Sequence, residues 1–227
     1  MSVRIDDSKL LDDVNEKLMF HRLNMLVAGV TFIFNILLFV VFLSSRQIYT
    51  KEKHQVLLIL GIADAANTIA IFSMGLSRVV LFSRIVDTRE IPLRTCWECA
   101  TETWLLLRGI GDLWPPLVQS IFTIQKFSAI FTPLWYYKRC RNGSLILLAT
   151  SLAILVPSLI VGYVLAWSNR DSNARYYCGR RAAFGTAYAT FIYSINIIGY
   201  LLSFIINCVN MSKVMTTSNK CVGKIEC

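Results

Sequence analysis

Long stretches without a formal charge decide what this chain can become. None of the residues from Leu23 to Leu43 is charged, and the same holds from Leu145 to Trp167. At 1.5 Å of rise per residue, each run makes a helix of roughly 30 Å, the thickness of a bilayer's hydrocarbon core. Within that core every backbone polar group must be satisfied internally, so the helix is the conformation open to such a segment. A charge at the centre costs roughly 2.5–3.5 kcal/mol on insertion scales, which keeps charges out of the runs. The composition follows: 55% of residues are hydrophobic, only 16% are charged, and the mean hydropathy is +0.54. Soluble domains carry about a quarter charged residues.

Five hydrophobic segments, not all free of charge, predict an all-α fold, a polytopic transmembrane helix bundle. The spans are expected at about 23–43, 56–76, 103–131, 145–167 and 182–209. Asp64 interrupts the second. Arg108, Asp112, Pro115, Pro116 and Lys126 fall inside the third. Residues 1–22 form a polar N-terminal tail and 213–227 a polar C-terminal one, and the connections are too short to fold alone. The first 22 residues hold no apolar core followed by a small-residue cleavage site, so the first span acts as the insertion signal. The formal charge of +9 sits beside the apolar runs, which points to lipid headgroups and not to nucleic acid. There is no His-Glu-x-x-His, Gly-x-Ser-x-Gly or phosphate loop, so an enzyme, a metal site or a cofactor is not expected. His21 and His54 sit at span ends as interfacial residues.

Five spans place the two ends on opposite sides of the membrane. The basic residues do not orient the chain, because slightly more of them fall on the side of the N-terminus. The cysteines do. Cys96 and Cys99 precede the third span and Cys178 precedes the fifth, on the same face of the bundle. A disulfide there requires an oxidising compartment, hence an extracellular N-terminus, a cytosolic C-terminal tail and the plasma membrane. Cys99 is the first choice of partner for Cys178 and Cys96 the alternative; unpaired thiols are the remaining reading. The sequons at Asn142 and Asn210 then face the cytosol or a helix end and are chance matches.

Ionisable groups inside spans ask for partners. Asp64 is expected to face the bundle interior with Asn35 as its hydrogen-bond donor. Arg108 and Asp112, four residues apart, share a helix face and can form an intrahelical ion pair. The two prolines remove backbone hydrogen bonds from the third span and predict a kink.

The segment Gln125-Lys126-Phe127-Ser128-Ala129-Ile130-Phe131-Thr132-Pro133-Leu134-Trp135-Tyr136 resembles the D-R-Y-x-A-[IV]-x-x-P-L-x-Y stretch of rhodopsin-like G-protein-coupled receptors. Ala129, Ile130, Pro133, Leu134 and Tyr136 match identically. Lys126 and Phe127 are conservative, and Gln125 stands where the family has an acid. Asn35, Asp64, Pro157 and the cysteine pair fall in the family's order. The texture looks most like the nematode serpentine chemoreceptors of the Srsx, Srbc or Srx groups. The fourth span lacks the family's central tryptophan and the fifth its proline. The resemblance covers the first five helices of seven.

That resemblance implies extracellular binding of a small ligand, helix rearrangement and activation of a heterotrimeric G protein through Gln125–Tyr136. It places Arg108 at a ligand-contacting position, where a guanidinium suits a carboxylate or another anion. Lys126 keeps the charge of the family's arginine without its planar fork. Read as five helices, the chain also suggests a non-signalling receptor fragment or a regulatory isoform. A small transporter or channel subunit, with Arg108 and Asp112 lining a polar pathway, is the alternative from another class.

Overall fold

The computed structural model describes residues 2–4, 8–44, 52–139, 143–174 and 176–225, with side chains described within 14–44, 55–138, 143–174 and 176–217. Asn142 and the side chain of His54 lie outside them. Five long helices form the bundle: α1 (Ser8–Ser44), α2 (Glu52–Thr88), α4 (Thr103–Phe131), α6 (Gly143–Ser168) and α8 (Thr186–Ile225). Among the described residues three short helices sit between them: α3 (Cys96–Ala100), α5 (Pro133–Arg139) and α7 (Arg180–Phe184). Four of the long helices contain segments long and apolar enough to cross a membrane, Val14–Ser44, Gln55–Thr88, Gly143–Ser168 and Thr186–Thr217, as a multi-pass membrane protein requires. Their exposed faces carry large apolar side chains such as Phe34, Leu37, Ile160 and Phe204, the surface that lipid covers.

Helix α4 is the hub: it packs against α2, α6 and α8, while α1 packs along α2. The whole turn from Gly111 to Pro116 is buried or nearly so. Small residues permit the close approaches. A Cβ on Gly111 would lie 2.7 Å from Asn67 Cα of α2, and one on Gly162 of α6 would lie 2.7 Å from the Tyr188 ring of α8.

The helices outrun the apolar segments. Helix α1 starts at Ser8, inside the expected tail, because Val14, Leu18, His21, Met25 and Ala28 recur at helical spacing on its inner face. Val14 and Leu18 bury against Phe82 and Ile85, which carries α2 on to Thr88, well past Leu76. At the other end of the chain, Gly185 adopts a positive φ of 86° and splits the expected fifth span into α7 and α8.

The ends of α2 and α6 converge with the starts of α1, α4 and α8. Two small sheets tie the loops there. β1 (Ser2–Arg4) pairs with β2 (Glu90–Pro92), and β3 (Arg94–Thr95) pairs with β4 (Asn173–Ala174), both antiparallel. Thr95 caps α3 in a capping box with Glu98. The N-terminal residues therefore lie at the same end as Cys99 and Cys178.

Candidate ligand-binding site

Cys99 is bonded to Cys178, with a Cα–Cα distance of 5.0 Å, and Cys96 is a free thiol. The bond pins the loop before α4 to the loop before α7. Cys178 takes a positive φ of 44°, a left-handed conformation that costs a non-glycine residue about 1 kcal/mol. The link is reinforced by Cys96 N–H donating to Ser172 O (2.9 Å) and Cys96 Sγ donating to Ala182 O (3.1 Å).

Below this tie, Asp112 on α4 gathers three elements. Its carboxylate takes Arg108 one turn earlier (3.0 Å) and Arg180 of α7 on its other oxygen. Its backbone carbonyl would normally receive the N–H of residue 116, but Pro116 has none. Asn196 Nδ2 of α8 fills that place at 2.7 Å. Asp112 thus joins α4 to α7 through its side chain and to α8 through its main chain. Of the two carbonyls that the proline pair frees, the one on Asp112 is thus satisfied by a neighbouring helix.

Next to this junction lies a cavity of about 830 Å³. Arg78, Arg108, Arg180 and Arg181 line it, together with Trp104, Tyr177, Phe184, Tyr193 and Cys96. No Asp or Glu lines it among the described residues. Arg78 stacks over Trp104 and Tyr177, 5.4 and 5.0 Å from the ring centroids, and Arg180 over Tyr193 at 4.5 Å. Arg78 Nε and Arg108 Nη1 are buried and find no hydrogen-bond partner among the described residues. Buried donors of this kind are costly unless something accepts from them. Size, aromatic walls and several convergent cations suit a small anionic molecule.

The other expected sites resolve differently. Asn35 Nδ2 donates to Thr68 Oγ1 (3.2 Å) and not to Asp64. Thr68 lies one turn beyond Asp64 on the face toward α1, and its hydroxyl is spent on the Asp64 main-chain carbonyl (2.8 Å). The side chain of Asp64 is exposed at the bundle surface. The Gln125–Tyr136 segment begins near the far end of α4, roughly 26 Å from Arg108 along the axis. There Gln125 Nε2 donates to Gly143 O of α6 (3.0 Å), and the Lys126 ammonium lies 4.1 Å from the Phe122 ring centroid. Phe127 stacks on Phe131, while Pro133 opens α5 and Tyr136 lies within it.

The sequence reading singled out Arg108 and Asp112 but missed Arg78, Arg180, Tyr193 and Asn196. Arg78 and Arg180 registered only as charge flanking the spans. Asn196 had a usable signal: an amide mid-way along an uncharged span, with a double proline elsewhere leaving carbonyls unpaired. No protein-family model matches the chain, and no curated protein matches it.

Proposed function

We propose that this chain is a membrane receptor of the chemosensory G-protein-coupled type, whose cavity takes a small anionic ligand from outside the cell. The observation that carries the reading is the arginine-lined cavity, with donors on Arg78 and Arg108 that await an acceptor. Its place beside the Cys99–Cys178 bond supports an extracellular, oxidising side; in this reading the N-terminus is outside and the membrane is the plasma membrane.

In this reading α4 makes the fifth crossing. At 29 residues it is long enough, and its charges are managed. Arg108 and Asp112 neutralise each other at one end, and Lys126 lies near the other, where a long side chain reaches the interface. The stretch between them, Leu113 to Gln125, is uncharged. G-protein contact through Gln125, Lys126, Phe127, Pro133 and Tyr136 rests on the sequence resemblance.

The test is a second-messenger response in cells presented with a panel of small carboxylic acids and their uncharged amides. A response to an acid, absent with its amide and reduced ten- to a hundred-fold in potency by Arg108→Ala, is the expected result, from loss of a charged hydrogen bond worth about 1.5–3 kcal/mol. An Arg108→Ala receptor with an unchanged acid response contradicts the assignment. Accumulation of the acid in proteoliposomes, without a cellular response, would make the chain a transporter instead.

A further inference from the structure

The cavity already has an anion beside it. Asp112 holds Arg108 and Arg180, two of the four arginines that an incoming ligand would meet. Its carboxylate is buried, and the two guanidinium groups grip separate oxygens. Building on the anionic-ligand reading above, we infer that Asp112 is a resident competitor. A ligand binds by taking Arg180 from it, and this releases α7 from α4.

Three features give the exchange a consequence. First, α7 is a short segment bounded by Gly179 and Gly185, and Gly185 has a positive φ and open space around it. The Arg180–Asp112 pair is the ionic attachment of that segment to the central helix. Second, Asp112 lies where α4 is weakest. The residues four positions ahead of Gly111 and Asp112 are Pro115 and Pro116, so neither carbonyl receives its usual intrahelical bond. Third, the same residue holds α8 through Asn196. A change in what Asp112 grips is therefore felt on α4, α7 and α8 together, at a point where the helix can bend.

The exchange also fits the electrostatics. A lone carboxylate between two arginines leaves net positive charge, and Arg78 and Arg181 add to it. A ligand that supplies a second carboxylate relieves that excess, while Asp112 keeps Arg108 through the intrahelical pair. Removing the competitor should accordingly tighten binding, whereas a purely structural Asp112 would weaken it when lost.

The experiment uses the full chain in phosphatidylcholine nanodiscs with radiolabelled benzoate as the probe. Asp112→Asn is expected to bind benzoate about tenfold more tightly than the wild type. Hydrogen exchange is read at the Ala182 and Ala183 amides, which donate to Gly179 O at 2.9 Å. Benzoate should speed that exchange several-fold in the wild type, the reverse of the protection that ordinary binding gives. Benzoate binding without a rise in exchange overturns the inference and leaves the anion site standing; this readout needs no variant to fold. A folded Asp112→Asn, disulfide intact, that binds benzoate no tighter overturns it equally. Absence of benzoate binding in both proteins overturns the anionic-ligand reading and this inference with it.

Discussion

Removing the amide of Asn196 tests how α4 tolerates its prolines. In the structure Asn196 Nδ2 donates to Asp112 O at 2.7 Å, the carbonyl that Pro116 leaves without a helical partner. Interhelical side-chain hydrogen bonds in membranes average about 0.6 kcal/mol and reach about 1.7. A buried carbonyl left bare costs about 1–3 kcal/mol. Asn196→Ala should therefore destabilise the bundle by about 1.5 kcal/mol, roughly tenfold in the unfolding equilibrium. Pro116→Ala restores an N–H to position 116, which closes the missing α4 bond onto the same carbonyl. In that background Asn196→Ala should cost no more than about 0.5 kcal/mol, a coupling of about 1 kcal/mol between residues on different helices. The assay is reversible unfolding in mixed dodecyl sulfate micelles for the four members of the cycle. The ring of Pro116 also packs near Gly199, where a Cβ would meet it at 3.1 Å, so Pro116→Ala has a cost of its own; the cycle removes it. Additive effects, with a coupling near zero, refute the reasoning.

Three further outcomes follow from the same packing. Gly162→Ala places a Cβ 2.7 Å from the Tyr188 ring, whose hydroxyl is fixed to Ser158 O (2.7 Å); thermal melting should show a loss of about 1–3 kcal/mol. Cys99→Ala or reduction opens the loop tie. The chain-entropy limit is about 4.5 kcal/mol, and a drop below that is expected because the bilayer already tethers the helices, again read by melting. Asp64→Leu removes an exposed carboxylate from α2, and translocon insertion of that helix should improve by roughly 3 kcal/mol.

The sequence made some of this legible and hid the rest for physical reasons. Uncharged runs announce helices because the bilayer admits no alternative; the helix Thr103–Phe131 has the expected bounds although three charges lie within it. Hydropathy says nothing of where a helix stops outside the lipid. There packing decides, and the Val14, Leu18, Phe82 and Ile85 cluster lengthens α1 and α2 together. The Arg108–Asp112 pair was visible because both residues lie on one helix, and the intrahelical reading of it matches the observed contact. Arg180 was not, since its meeting with Asp112 depends on how α7 folds back over α4. Asn35 illustrates the opposite error. Two polar residues in neighbouring spans looked like a pair, but Thr68 on the facing side of α2 takes the amide and itself donates to the Asp64 main-chain carbonyl.

We propose that α4, less apolar than the four other long helices, nonetheless crosses the membrane with the arginine-lined cavity on the outer side. Epitope tags fused at the two ends of the full chain, probed by antibody in intact and permeabilised cells, test it most directly. With α4 crossing there are five passes, so the N-terminal tag should be accessible in intact cells and the C-terminal tag only after permeabilisation. Both tags appearing on the same side would mean four passes and would contradict the account.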